Sequence, residues 1–303
     1  MPRLLAVAGA SGALGRHVVA TALDRGWRVR AITRDPARLT APWRDRADVE
    51  VVVADGRDRA AVAAALAGVD ALCSSAGASV APAPGHGWRG YGAVDVPVNR
   101  ALIDGARAAG VGRVVYVSVL HAPAMRRLAY VAAHERVVAH LRASGLAHAV
   151  LRPTGFFSAL ASYLDLARRG AIPEIGDGLA RSNPIADEDL AEVVLDAVAD
   201  ADPALEVAAG GPEVLTRREL AEAAFAALGR PVRIRHVPAG PLPAALALAR
   251  PFHPRLAQFM RFAVAISTRD LIAPPRGRRR LIDALAARAA GAAAVTHAPR
   301  RGA

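Results

Sequence analysis

The chain has 303 residues, with 39 basic against 27 acidic side chains and a formal net charge of +12. Every basic residue is an arginine, so chemistry that needs a lysine, such as a Schiff base, is excluded. The single cysteine, Cys73, excludes an internal disulfide and fits a reducing compartment. No stretch reaches the roughly 18 apolar residues of a membrane span, and the first apolar run is too short for a signal peptide. The expectation is a soluble, cytoplasmic protein. The positive charge is spread along the chain. Only Arg276–Arg280 and the pair Arg300 and Arg301 cluster, and neither is interleaved with aromatic residues, which argues against a nucleic-acid partner.

In chain order, Leu4–Ala8 reads as a strand, Gly12–Arg25 as a helix and Arg28–Thr33 as a strand. Val49–Ala54 is the next strand, followed by a helix over Arg57–Ala67 and a strand over Ala71–Ser75. A long loop, Ala78–Gly92, then leads to a helix over Val96–Ala109. Arg113–Val119 reads as a strand, Ala129–Ala143 as a helix and Ala149–Arg152 as a strand. Strands that alternate with helices and are apolar throughout predict a parallel sheet covered on both faces, a Rossmann-type doubly wound α/β fold.

After Pro153 the rhythm changes. Phe156–Arg169 reads as a helix, Ile172–Ser182 as turn-rich, and Asp187–Ala199 as a helix with an acidic first turn. Thr216 and Glu219 form a capping box for a helix to Leu228. Val232–Val237 suits a strand, Pro241–Ile266 is helical with a break at Pro251–Pro254, and Leu281–Ala290 is a last helix. The predicted organisation is a coenzyme-binding core over residues 1–153 and a small C-terminal α/β substrate lobe over 154–292. The lobe's chain is interleaved with the core, and residues 293–303 form a disordered tail.

The first strand runs directly into Gly9-Ala10-Ser11-Gly12-Ala13-Leu14-Gly15, which opens a helix. Glycines at this spacing let backbone turn tightly and approach a pyrophosphate, and the helix N-terminus supplies unpaired N–H groups. Ser11 adds a hydroxyl. At the end of the second strand, Arg34 can pair with the 2′-phosphate of NADP. Asp35, read as a cap for Pro36–Leu39, could instead serve the ribose of NAD. NADP(H) is therefore favoured and NAD(H) remains open. Asp55-Gly56 ends the third strand, where a carboxylate can accept from adenine. Ser75-Ala76 ends the fourth, where small side chains permit close approach.

The glycine loop, Thr33-Arg34-Asp35, Leu151-Arg-Pro-Thr-Gly-Phe-Phe157, Ser182-Asn-Pro-Ile185, Gly210-Gly-Pro212 and Asp270–Pro275 together resemble the NmrA-like atypical short-chain dehydrogenase/reductases. The branch they resemble includes divinyl-chlorophyllide-reductase-like proteins, and the resemblance covers about residues 3 to 290. It implies NAD(P)H and, commonly, a reductase reaction; some members sense the coenzyme without turnover. The wider superfamily uses a serine after the fifth strand and a Tyr-x-x-x-Lys on the next helix. Ser118 and Tyr130-Val-Ala-Ala-His134 stand at those places. Tyr130 would be the general acid, with a protonated His134 replacing the lysine, lowering the Tyr130 pKa and binding a ribose hydroxyl. The competing reading makes Tyr130 a packing residue, His134 a surface histidine and Ser118 a buried hydroxyl. Pro153 is carried over as a coenzyme neighbour, and Phe156 and Phe157 as walls of a substrate pocket or as plain core.

Asn99 could orient a water or be an ordinary polar helix position. Arg152 is expected to pair with Asp187 or Asp189. His134 and His140 are six apart, on opposite sides of a helix, so a zinc site is rejected and no metal is expected. The leading function is NADPH-dependent reduction of a small or medium apolar organic substrate. The alternative is a non-catalytic NAD(P)H-sensing regulator that binds a protein partner. Oligomeric state stays open.

Overall fold

The computed structural model describes residues 3–78, 89–242, 244, 246 and 252–297. The apolar runs of the first half form β1 (Leu4–Ala8), β2 (Arg28–Thr33), β3 (Val49–Val53), β4 (Ala71–Ser74), β5 (Arg113–Val117) and β6 (His148–Pro153). Between them lie α1 (Ala13–Asp24), α2 (Arg59–Leu66), α3 (Tyr91–Ala108) and α4 (Ala129–Ala143). The second half adds α5 (Phe157–Arg168), β7 (Ile172–Ile175), β8 (Arg181–Ser182), α6 (Asp187–Ala199) and β9 (Ala204–Ala209). It continues with β10 (Leu215–Thr216), α7 (Arg217–Ala227), β11 (Ile234–Val237), α8 (Pro254–Ser267) and α9 (Leu281–His297).

Seven parallel strands form one sheet in the order β3-β2-β1-β4-β5-β6-β9. The direction of winding reverses between β1 and β4, and such a reversal opens a crevice at the carboxyl ends of the strands. Register aligns those ends, because Ala8 pairs with both Ile32 and Ser74. The glycine loop, Thr33 and Ser75 therefore emerge side by side. One face of the sheet packs Leu66, Ile103, Tyr116 and Val137 beneath α2, α3 and α4. The other packs Val18, Val19, Trp43, Leu190 and Val194 beneath α1 and α6. A separate core of Leu164, Ile172, Leu220, Phe225 and Leu285 joins α5, α7 and α9 in the C-terminal part.

Several elements differ from the sequence expectation. β9 was not anticipated. Its outer edge is exposed and it carries Glu206 mid-strand, so it lacks the continuous apolar run of its neighbours. α3 begins at Tyr91 rather than Val96, with Pro97 inside the helix. A proline normally marks a first turn, which misplaces the start. α9 runs to His297 through an alanine-rich stretch of high helix propensity, so the tail expected from residue 293 is helical at its beginning. Residues 298–303 of that tail, 79–88 of the long loop, and 243, 245 and 247–251 of the helix expected after Pro241 lie outside the described residues. α8 starts at Pro254, capped by the His253 side chain, which agrees with a break at that place.

Candidate functional site

The loop after β1 is held by Gly9, at φ +89°, whose carbonyl accepts from the Gly12 amide at 2.9 Å. A Cβ on Gly15 would stand 2.1 Å from the Gly9 carbonyl oxygen, so only glycine lets α1 approach the strand this closely. Gly12 is the N-cap of α1 and offers no side-chain cap; the first turn holds no acidic residue. Ala13, Leu14 and Gly15 thus present backbone N–H groups and the positive end of the helix dipole to the crevice. This cradle fits a pyrophosphate.

On the adenosine side, the Ser11 and Thr33 hydroxyls lie 3.5 Å apart. The Asp35 side chain accepts from Ala37 N at 3.0 Å and caps the 3-10 turn Pro36–Arg38, as the sequence suggested. That leaves Arg34 exposed, without a hydrogen-bond or salt-bridge partner among the described residues. A groove of about 460 Å³ runs along the outside of the loop, lined by Ser11, Arg16, Arg38, Leu39 and Trp43 among others. Arg38, missed in the sequence, also has no side-chain partner among the described residues. Its four-residue offset from Arg34, across a Pro-initiated turn, was the available signal. Asp55 is gripped by Arg57 through the backbone amide at 3.0 Å and the guanidinium at 2.6 Å, and this pulls its pKa down to about 2. Its carboxylate is already engaged, so it is a less open adenine acceptor than the sequence implied. Gly56 sits against Val98, where a Cβ would come within 2.6 Å.

The end of β4 is fastened from two sides. Ser75 N donates to Ala8 O at 3.1 Å, and Ser75 and Ala76 pack on Gly9. Asn99 accepts from the Ser74 hydroxyl at 2.6 Å and donates to Ala76 O and Asp95 O at 2.9 and 2.8 Å. Both amide hydrogens of Asn99 brace this loop, which makes it a structural brace rather than a donor to a water. Asp95 accepts from Ala78 N at 2.6 Å, and burial raises its pKa to about 6.

Beyond β5, Ser118 is buried, and its hydroxyl has no partner among the described residues. Tyr116, two residues earlier on the same face of the chain, hydrogen-bonds His134 Nδ1 at 2.7 Å. Tyr130 is enclosed by edge-on contacts with Tyr91, His134 and Phe262, at ring separations of 5.0, 4.7 and 4.7 Å. Burial drives its hydroxyl well above the ordinary phenol range. Burial likewise lowers His134 to about 4. The protonated imidazole expected from the sequence is therefore corrected. At neutral pH His134 is uncharged, because desolvation disfavours the cation more than Glu135 favours it. It is also not a surface histidine, being 9% exposed. Nor does it lower the Tyr130 pKa. His140 instead pairs with Asp104 on α3 at 2.7 Å.

At the end of β6, Pro153 O accepts from Leu120 N at 2.9 Å, which ties the β5 and β6 loops together. Phe156 and Phe157 part company. Phe156 packs on the core beneath α1 and α6, and Phe157 on the core of the C-terminal part. Arg152 pairs with Glu135 at 2.6 Å and with Glu206 at 3.4 Å, rather than with Asp187 or Asp189. The sequence could not show this because β9, which carries Glu206, was not foreseen. Asp187 instead accepts from Ser158, and Asp189 from the backbone of Arg278 and Arg279. His121, also unforeseen, reaches Glu135 at 3.2 Å. Among the described residues no group of three or more His, Cys, Asp or Glu is placed to hold a metal ion, and no helix is long and apolar enough to cross a membrane.

Comparison with known proteins bears on this geometry. Residues 9–201 match the profile of a family described as NAD(P)H-binding. A chloroplastic divinyl chlorophyllide a 8-vinyl-reductase from Zea mays is 33% identical over 256 residues, covering 77% of this chain and 61% of that one. The chain thus spans less than two thirds of the length of the first curated relatives it matches. An NADPH-dependent quinone oxidoreductase from Escherichia coli, solved with NADPH, superposes with a TM-score of 0.72 at 22% identity, over 93% of this chain and 99% of that one. A triphenylmethane reductase from Citrobacter sp., solved with NADP(H), gives 0.71 at 19% identity, over 94% and 99%. At these identities the two structures speak for the fold.

Proposed function

The chain belongs to the NAD(P)H-binding family, and from that premise we propose that it is an NADPH-dependent reductase acting on a small or medium apolar organic substrate. The observation that carries the reading is the uncapped N-terminus of α1, set in a three-glycine cradle at the reversal point of the sheet. The bound coenzyme supplies a hydride. Backbone amides of Ala13, Leu14 and Gly15 hold the pyrophosphate. Arg34 and Arg38, with Ser11, read the 2′-phosphate, while Gly56 and Asp55 border the adenine. Ser75, Ala76 and Pro153 line the nicotinamide half. The Ser118 hydroxyl is a free donor for the substrate, and Phe156 and Phe157, each half-buried at the end of β6, border the substrate pocket. Tyr130 serves in packing, so the proton comes from water rather than from the tyrosine.

The names of the relatives, a vinyl reductase and a quinone oxidoreductase, support conjugated acceptors. A reducing, cytoplasm-like compartment suits the single buried thiol of Cys73. The test is NADPH oxidation across a panel of enones, quinones and aldehydes, with turnover expected on at least one class. Tight NADPH binding without turnover on any of them, beside a specific protein partner, would replace this reading with that of a coenzyme-sensing regulator.

A further inference from the structure

Between the β5–α4 connection and α8 lies a small pocket of about 160 Å³. Part of its wall is apolar, from Leu128, Ala129 and Ala257, and part is Arg127, Gln258 and Arg261. Arg127 stands near the end of the connection that begins at Ser118, and Arg261 on α8, so two separate elements bring a guanidinium to one place. Both residues are exposed, and neither has a hydrogen-bond or salt-bridge partner among the described residues. No carboxylate lies among the described residues of the wall. The first turn of α4, which opens at Ala129, holds no acidic residue either. Gln258 Oε1 accepts from Tyr91 N at 3.2 Å, which leaves its amide nitrogen as a further donor. Elsewhere converging charges are matched: Arg25 meets Glu192 and Asp196, and Arg181 meets Asp270. Two guanidinium groups at one pocket repel each other unless an anion stands between them, and their forked donors suit a carboxylate or a phosphate.

We infer that this pocket binds an anionic group of the substrate, a carboxylate or a phosphate, and that Arg127 and Arg261 select for it. This rests on the reductase reading above and narrows the substrate to an apolar acceptor with one acidic end. The volume suits one end of a molecule, being well below the roughly 300 Å³ at which whole-ligand pockets begin. The coenzyme's phosphates belong elsewhere in that reading, at α1 and at Arg34 after β2. β5 lies three positions from β2 in the sheet, about 14 Å at the usual spacing of about 4.8 Å. The substrate half is nearer. Phe262, next to Arg261 on α8, packs on the Tyr130 ring at 4.7 Å, and the connection that carries Arg127 starts from Ser118. An acidic end held here leaves the apolar body for the crevice that Ser118 borders.

The experiment measures NADPH oxidation on two matched pairs, a carboxyphenyl enone and a carboxyalkyl naphthoquinone, each beside its methyl ester. The acid should exceed its ester in kcat/KM by roughly tenfold or more, the range for hydrogen bonds to a charged group, with the difference in KM. Arg127→Ala and Arg261→Ala should each raise the KM of the acid and bring the ratio towards one. Arg261→Lys, which keeps the charge, should retain part of the preference. Calorimetry on the NADPH-loaded protein gives a second readout that needs no turnover. Phenylbutanoate and phenyl phosphate should bind roughly tenfold or more tighter than phenylbutanamide, and both alanine variants should remove that difference. Equal kinetics for acid and ester, or a ratio that neither alanine variant moves, would overturn the inference, even where calorimetry detects an anion. Acid and amide binding alike would overturn it as well. Absence of turnover on every acceptor strikes the reductase reading instead, and calorimetry then decides the anion site by itself.

Discussion

Gly15 shows how little tolerance the loop has. A methyl group there would overlap the Gly9 carbonyl at 2.1 Å, so Gly15→Ala must force α1 away from β1. It should lower the unfolding free energy by several kcal/mol, on the order of the larger single-site effects, in urea titration. Gly12 has a looser neighbour, 3.1 Å away, and stands exposed at the helix end. Gly12→Val should leave the fold intact and abolish dinucleotide binding by blocking the approach. Arg34→Ala should weaken NADPH by roughly tenfold or more, the range for a hydrogen bond to a charged group, while NADH changes little. Equal losses in parallel titrations would return Arg34 to a structural role. His134 also has a pH signature. Its pKa is lowered in the folded state to about 4 from 6.5, so its contribution to stability is complete above pH 6.5 and is lost as pH falls towards 4. Buried Asp95, raised to about 6, acts in the opposite direction, being most favourable at low pH. His134→Gln should therefore remove a loss of roughly 3 kcal/mol between pH 7 and 4, read as the difference between the two proteins' urea midpoints.

Among the elements, two helix starts were readable from the residues of their first turn. Thr216 and Glu219 form the reciprocal capping box that their spacing predicts, and Asp187–Ala199 is the helix its acidic start announces. Thr216→Ala should cost about 1 kcal/mol, seen as a lowered melting temperature with coenzyme affinity unchanged, since α7 lies away from the crevice. α3 was misread because Pro97 imitates a first-turn proline. β9 was missed because a sheet-edge strand with Glu206 at its centre shows only weak alternation. The partners of Glu206, Arg142 on α4 and Arg152 on the neighbouring strand β6, explain the carboxylate, but they are 64 and 54 residues away.

For the whole molecule, a minority of the arginines is taken up in ion pairs among the described residues. Arg279 meets Asp189, Arg280 meets Glu213 at 2.7 Å, and Arg25 bridges Glu192 and Asp196 from α1 to α6. The one dense arginine cluster of the described chain is thus partly neutralised in place. Single- and double-stranded nucleic acid should show no binding by anisotropy even at low salt, where such contacts are strongest. Three segments of the second half of the chain are tied together through Asn183, whose amide donates to Gly211 O and Ala273 O and accepts from Ala273 N. This gives the Ser182-Asn-Pro-Ile segment a structural reason.

The βαβ alternation and the glycine cradle were visible in the chain because both depend on near neighbours. A strand–glycine–helix junction needs only backbone permissiveness within a few residues, and apolar runs reveal strands buried on both faces. The protonation state of His134, the enclosure of Tyr130, the partners of Arg152 and the exposure of Arg34 and Arg38 were not visible. Each depends on desolvation and on charges brought together from distant segments, and these exist only once the sheet and its helices have closed.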